Sequence, residues 1–350
     1  MSDLRAESRV IDGGPVVARV VVRGGGSIGA RHARVFGQLG ADVALWPVRP
    51  RPASSTSSGP GVHTPAHSSG PGVHTLDDSA GPAALAAADL VVVATDTGRH
   101  VADAVAALDA GAARVLLEKP AAPSRAAAEP LADHPRAGDV WIAAPLRAHE
   151  AFRHLLTHLP EIGRPLFAHV RCQSWLPDWR PDRDYRQSYS ARPDEGGVLR
   201  DLVHELDYAE VLLGRPTLLG ARLEHTGPLD MEAEQAATLL WHTDVATVTC
   251  RLDYVTRPTT RGVTLHGPHG SLEWDLTTAT VTRRDADGAA TTEAFPVDLD
   301  RDTVMATQAH AALELTPGAD RAQRHTAGAP ATLTEGLATL ELCDQARTIS

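Results

Sequence analysis

Apolar residues first gather at positions 18–23, a short β-branched run that marks a buried strand. A glycine cluster at 24–29 follows, and from 30 to 39 apolar and polar positions recur at the spacing of an amphipathic helix. Gly40-Ala41-Asp42 breaks the pattern, and 43–46 reads as a second strand. Residues 49–72 are rich in Pro, Ser and Gly, the composition of a loop. Within it Ser57–Thr64 recurs unchanged as Ser68–Thr75, the mark of a tandem duplication whose second copy leads into a short strand near 73–76. Regular patterning then resumes, with a helix at 83–88, a strand at 90–94, a helix at 100–110 closed by Gly111, and strands at 115–117 and 140–143. Strands alternating with helices of this length predict βαβ units on a parallel sheet.

From about residue 150 the rhythm changes. A helix at 150–159 leads to a strand at 166–173, an aromatic and arginine-rich loop, and one continuous helix at 198–213. Strand-like runs follow at 218–225, 236–243, 245–254, 261–266, 271–276 and 279–284, with Gly267-Pro268-His269-Gly270 as a hairpin turn. Helices at 303–313 and 333–348 close the chain. The fold class expected is α/β followed by α+β, the second part built on a large, mostly antiparallel sheet. Residues 1–15 are expected to be a tail, 16–145 the first domain and 146–350 the second.

Composition narrows the function. The chain has 350 residues, 43% apolar and 22% charged, as in a globular protein of about two domains. No apolar run nears the roughly 20 residues of a membrane span, and the polar first 15 residues do not read as a secretory signal. A net charge of −11 disfavours nucleic acid or an anionic membrane as partner. Cys172, Cys250 and Cys343 are widely separated and make no metal pattern, and they suit a reducing, cytoplasmic setting. His63 and His74 owe their pairing to the repeat rather than to a metal. The chain has no asparagine and a single lysine, Lys119, among 33 basic residues. Arginine stays charged at any ordinary pH, whereas a lysine is a compact charge whose pKa responds to burial. Lys119 follows the strand at 115–117, at the carboxyl end where open α/β sheets bind ligands.

Gly24-x-Gly26-x-x-Gly29 lies between a strand and a helix, the context in which it cradles a dinucleotide pyrophosphate at a helix N-terminus. Gly24, Gly26, Ser27, Ile28 and Gly29 are therefore the candidate phosphate contacts. The second strand ends in Trp46-Pro47-Val48-Arg49-Pro50-Arg51, with no acid to hold a ribose. Arg49 and Arg51 suit a 2′-phosphate, which favours NADP(H), with NAD(H) possible. Thr95, Asp96 and Thr97, with His100 and Glu118, are placed to line the nicotinamide end. On the helix at 198–213, Asp201 and His204 lie three apart and His204 and Tyr208 four apart, so they share a face.

Three features together resemble the Gfo/Idh/MocA oxidoreductases, the relatives of glucose-fructose oxidoreductase and inositol dehydrogenase. They are the opening from Gly24 to His32, the triplet Glu118-Lys119-Pro120, and Gly196-Gly197-Val198-Leu199 leading to Asp201 and His204-Glu205-Leu206-Asp207-Tyr208. The resemblance runs from about residue 16 to the end. It implies a Rossmann domain followed by an α+β domain whose open sheet mediates homodimers or homotetramers. It also implies Lys119, Asp201 and His204 as catalytic groups. The family commonly spaces the Asp and His four apart, so Glu205 competes with Asp201 as the partner of His204. Where relatives often read Gly-Tyr-Asn-x-Arg, this chain has Ala143-Ala144-Pro145-Leu146-Arg147.

The loop from Ser174 to Tyr189 carries Trp179, Arg180, Tyr185, Arg186 and Tyr189, aromatic faces and guanidinium forks suited to a charged sugar. The expected activity is hydride transfer between nicotinamide and a secondary alcohol or ketone of a sugar, cyclitol or nucleotide-sugar. His204 would move the proton, Lys119 would stabilise the oxyanion and help to relay that proton, and Asp201 would orient His204 or hold a neighbouring hydroxyl. Two alternatives stay open: an epimerase or glycosidase that uses tightly bound NAD transiently, and a non-catalytic dinucleotide-binding regulator.

Overall fold

The computed structural model describes residues 17–48 and 72–350. Arg49, Arg51, the tail at 1–15 and most of the duplicated loop lie outside the described residues.

The first part of the chain runs β1 (Arg19–Arg23), α1 (Ser27–Gln38), β2 (Asp42–Trp46), β3 (Val73–Thr75), α2 (Gly81–Ala86), β4 (Leu90–Val93), α3 (His100–Ala110), β5 (Val115–Leu117), α4 (Glu129–Ala132) and β6 (Val140–Ile142). The second continues with α5 (Glu150–His158), β7 (Phe167–Trp175), α6 (Val198–Asp201), α7 (Val203–Leu213), β8 (Thr217–Glu224), β9 (Ala236–His242), β10 (Thr247–Asp253), β11 (Val255–Gly267), β12 (Gly270–Asp275), β13 (Thr280–Asp285) and β14 (Ala290–Ala294). It ends with α8 (Arg301–Glu314), α9 (Arg321–Ala327), β15 (Ala331–Thr332) and α10 (Leu333–Ile349).

The first sheet has the order β15-β6-β5-β4-β1-β2-β3 and is parallel except for β15. Its central strands are buried on both faces, which is why β1 and β4 read as unbroken apolar runs. The second sheet has the order β14-β13-β12-β11-β7-β10-β9-β8, antiparallel except for the β7–β10 pair. Along β7 buried and partly exposed residues alternate. Ala168, Val170 and Cys172 enter the core beneath α5 and α7, while Phe167, His169 and Arg171 look out from the open face. Gly267 pairs with Gly270 across the expected hairpin.

Two features depart from the sequence expectation. The chain after residue 300 returns to the first sheet. Met305, Ala309 and Ala312 of α8 share a core with Val20, Phe36 and Trp141, and Ala331 of β15 pairs with Ile142. Leu333, Leu337 and Leu340 of α10 pack with the first domain, whereas Leu342, Cys343 and Ala346 pack with the second. An apolar helix stripe does not say which sheet it will cover, so a single cut at 145/146 was all that the pattern offered. The second departure is the helix expected over 198–213, which is two helices. It breaks at Leu202 (φ −96°, ψ 32°), and the Glu205 N–H bonds to Leu202 O at 3.3 Å instead of to the Asp201 carbonyl. That frees the Asp201 carbonyl for another donor.

Candidate active site

The glycine turn joins β1 to α1. Gly24 has φ +113°, a conformation that disfavours any side chain, and a Cβ there would lie 2.4 Å from Ala94 O. A Cβ on Gly29 would lie 2.0 Å from Gly24 O, so the helix can approach the strand only with glycine here. Gly26 differs: its Cβ would meet nothing within 4 Å. It is the N-cap of α1, with no capping side chain and no acid in the first turn. Ser27 is exposed and Ile28 half-buried. The first N–H groups of the helix thus face an open cradle of the kind that holds a pyrophosphate.

The described end of β2 carries no acid. Trp46 lies under the Arg23 guanidinium, 3.8 Å from the ring centre, and donates its indole N–H to Asp78 (2.9 Å). At the end of β4 the Thr95 hydroxyl is buried without a hydrogen-bond partner among the described residues, a polar group left for a ligand. Asp96 is exposed and Thr97 buried. His100 was expected to touch cofactor. Instead its ring nitrogens approach Pro120 O (2.8 Å) and Thr95 O (3.1 Å), so it ties the loops after β4 and β5 together. Burial pushes its pKa down. Glu118 meets His32 Nε2 at 2.7 Å. Burial would raise its carboxyl, but the hydrogen bond and charge of His32 hold it below the usual range. The open turn, the bare helix N-terminus and the orphaned Thr95 hydroxyl fit a nicotinamide dinucleotide laid from α1 towards β5.

Lys119 reaches across to the second domain. Its Nζ donates to Asp201 O (2.8 Å), the carbonyl freed by the helix break, and to Asp201 Oδ1 (3.0 Å). It also lies 3.2 Å from the Tyr189 hydroxyl. The Asp201 carboxylate accepts in addition from Tyr189, from Ser190 Oγ (2.7 Å) and from the Tyr254 hydroxyl (3.0 Å). Burial alone would raise this carboxyl, but the Lys119 charge and the hydroxyl donors hold it below its ordinary value. For Lys119 burial works to lower the pKa, and Tyr189 and Asp201 overcome it and hold the ammonium above its ordinary value. Lys119 is therefore held in its protonated form, a positive charge fixed beside Asp201.

His204 is half-buried in the adjoining turn. Burial, reinforced by the charges of Lys119, Arg261 and Arg301, pushes its imidazole well below the ordinary value, so it stands neutral. Lys119 and His204 line one small pocket together with Asp207 and Thr339. Neither acid proposed from the sequence partners His204. Asp201 is committed to Lys119, and Glu205, fully buried, is bonded by Arg261 Nε at 2.5 Å. Tyr208 does not share the site either; its hydroxyl donates to Gly262 O (3.1 Å) inside the core. Asp207 is gripped by Arg147 through two bonds (2.6 and 2.9 Å), which anchors α7 to the loop after β6.

The aromatic loop divides. Tyr189 joins the Lys119–Asp201 cluster, and Trp179 stands edge-on to Tyr254 with ring centres 5.5 Å apart. Tyr185 accepts from Asp230 N (2.9 Å), outside the loop, and Arg186 is held by Asp184 (2.9 Å). Arg180 is exposed and makes no ion pair among the described residues. Ser190, Tyr254 and Arg261 were missed by the sequence reading; Tyr254 and Arg261 lie on or beside strands whose alternation gave no sign of a site.

The first domain, residues 18–142, matches the profile of the oxidoreductase family with an NAD-binding Rossmann fold. Residues 156–273 match that of the GFO/IDH/MocA C-terminal domain. The chain belongs to the Gfo/Idh/MocA family.

Solved structures share the fold over nearly the whole length. A levoglucosan dehydrogenase in complex with NADH is 17% identical, with a TM-score of 0.74 over 96% of this chain and 98% of that one. A UDP-N-acetylglucosamine 3-dehydrogenase from Acidithiobacillus ferrooxidans is 18% identical, with a TM-score of 0.71 over 95% and 98%. A biliverdin reductase from Synechocystis sp. PCC 6803, in complex with biliverdin and NADP+, is 20% identical, with a TM-score of 0.69 over 95% and 98%. Such identities establish the fold of this family member and not its substrate. No curated protein matches the chain by sequence. Among the described residues no helix is long and apolar enough to cross a membrane, and no group of His, Cys, Asp and Glu is arranged to hold a metal.

Proposed function

We propose that this Gfo/Idh/MocA protein transfers a hydride between a nicotinamide dinucleotide and a secondary alcohol or ketone of a sugar, cyclitol or nucleotide-sugar. The observation that carries the reading is Lys119, hydrogen-bonded to the Asp201 carbonyl and carboxylate and lining one pocket with His204. Gly24, Gly26 and Gly29 with the α1 N-terminus would hold the pyrophosphate, and Thr95 a ribose hydroxyl. Bound nicotinamide supplies the two-electron acceptor or donor. In the oxidising direction the substrate hydroxyl proton passes to the neutral His204, and the Lys119 charge stabilises the oxyanion as it develops. Asp201 holds the ammonium in place, and Tyr189, Ser190 and Tyr254 hold Asp201. The absence of an acid at the described end of β2, with Arg49 and Arg51 next in sequence, supports NADP(H) over NAD(H).

The test is a pair of titrations with NADPH and NADH, followed by a screen of sugars and cyclitols for dinucleotide turnover in wild type and Lys119→Ala. The variant should bind dinucleotide as the wild type does and lose about 10²–10⁴-fold in turnover. Equal turnover in the variant sinks the mechanism, and tighter binding of NADH sinks the NADP(H) preference.

A further inference from the structure

His100 is the first residue of α3 and is buried. Its ring stands between two backbone carbonyls, with Nδ1 2.8 Å from Pro120 O and Nε2 3.1 Å from Thr95 O. Both are hydrogen-bond distances. A carbonyl oxygen only accepts, and a neutral imidazole carries a single N–H. Either neutral tautomer therefore turns one ring lone pair on a carbonyl oxygen, and only the imidazolium donates to both. The two carbonyls belong to residues of the site. Thr95 carries the buried hydroxyl left for a ligand, and Pro120 directly follows Lys119.

The groups around the ring pull in both directions. Burial is the largest effect and disfavours the imidazolium, as does the positive end of the α3 dipole. The two carbonyls favour it, and so do the charges of Glu118, after β5, and of Asp103, on α3. Glu118 is shared with His32 of α1 (2.7 Å), and Asp103 with Arg99 (3.1 Å) and with Arg23 of β1 (3.7 Å). Asp96, on the loop after β4, is exposed, and Lys119 is engaged by Asp201 and Tyr189. The net effect holds the ring below its ordinary value. It is neutral near pH 7, donating to one carbonyl, and gains its second bond when it takes a proton at lower pH.

We propose that His100 is a positioning residue whose proton latches the loops after β4 and β5 together around the dinucleotide. The proposal rests on the dinucleotide site built by the glycine turn and Thr95. The pyrophosphate of a bound dinucleotide brings negative charge to the carboxyl end of the same sheet, and a ribose hydroxyl on Thr95 fixes the loop that carries one of the two carbonyls. Both favour the doubly bonded imidazolium. By linkage the protonated ring then favours the dinucleotide, so affinity rises as pH falls and binding takes up a proton.

The experiment is calorimetry with NADH, or with NADPH where it alone binds, on wild type and His100→Gln from about pH 8 to about pH 6, in buffers of different ionisation heat. A glutamine amide donates without gaining a proton in this range. Wild-type affinity should rise about threefold to tenfold, the worth of one hydrogen bond, and a buffer-dependent heat should report proton uptake. The variant should show neither. Should His100→Gln not fold, His100→Asn carries the same comparison. In NMR, the ring resonance lost in the variant should titrate at higher pH with dinucleotide bound than without. Wild-type affinity independent of pH, a pH dependence that survives the substitution, or a ring that titrates alike in free and bound protein overturns the latch alone. Failure of both dinucleotides to bind the wild type at any pH overturns the dinucleotide site, and the latch with it.

Discussion

Asp201→Ala strikes the centre of the site. Asp201 is 6% exposed, and its carboxylate accepts from Lys119, Tyr189, Ser190 and Tyr254. Removing it strands the Lys119 ammonium and deprives three hydroxyls of their acceptor. Breaking one side of a buried pair costs about 3–5 kcal/mol, so a loss of about 4 kcal/mol is expected. Lys119→Met should cost less, about 2 kcal/mol. It removes one charged hydrogen-bond donor, of about 1.5–3 kcal/mol, but leaves a carboxylate with three hydroxyl donors. In the double variant the second removal strands nothing further, so its loss should fall about 1–3 kcal/mol short of the sum. Urea unfolding of the four proteins at pH 7, with unchanged slopes, measures this coupling. The pH dependence follows from the two shifts. Asp201 is held below its ordinary value, so its contribution is present above about pH 4 and is lost as pH falls through the folded-state pKa. Lys119 is held above its ordinary value, so its contribution is present below about pH 10.4 and is lost as pH rises through the folded-state pKa. Between about pH 5 and 9 the stability gap between wild type and Asp201→Ala should be constant. A coupling below about 0.5 kcal/mol, or a gap that changes near neutrality, would refute the pairing.

The glycine turn separates fold from ligand. Gly26→Ala has open space for its methyl and should keep wild-type stability while weakening dinucleotide binding, whereas Gly29→Ala, with a Cβ 2.0 Å from Gly24 O, should lose both; equal behaviour of the two in thermal unfolding and NADH titration contradicts this. The three thiols are buried, and burial pushes Cys172 and Cys250 up and Cys343 up to about 12. Ellman's reagent at pH 8 should find no fast-reacting cysteine in the native protein and three in urea.

Much of the architecture was legible because it is written in local periodicity. The parallel sheet announced itself in apolar runs such as 90–94, and the second domain in strands of alternating burial. The glycine turn was readable because glycine at 24 and 29 is a backbone requirement that no distant residue can replace, and Gly26 leaves open space beside them. Lys119 stood out by being alone. The partners of these groups were not readable. Helical spacing placed Asp201 and His204 on one face, but the break at Leu202 turned the Asp201 carbonyl and carboxylate towards Lys119. Tyr254, 53 residues along the chain from Asp201, and Arg261, 56 from Glu205, complete their pairs only because the second sheet folds them there. The aromatic loop sends Tyr189 to the Lys119–Asp201 cluster and ties Arg186 to Asp184. The sequence by itself determined the elements, the glycine turn and the residue types available for chemistry. Which carboxylate faces which cation, and which domain the last 50 residues join, was decided by tertiary packing. Ion pairs depend on distances of a few ångströms between segments far apart in the chain, and those distances leave no period in the sequence.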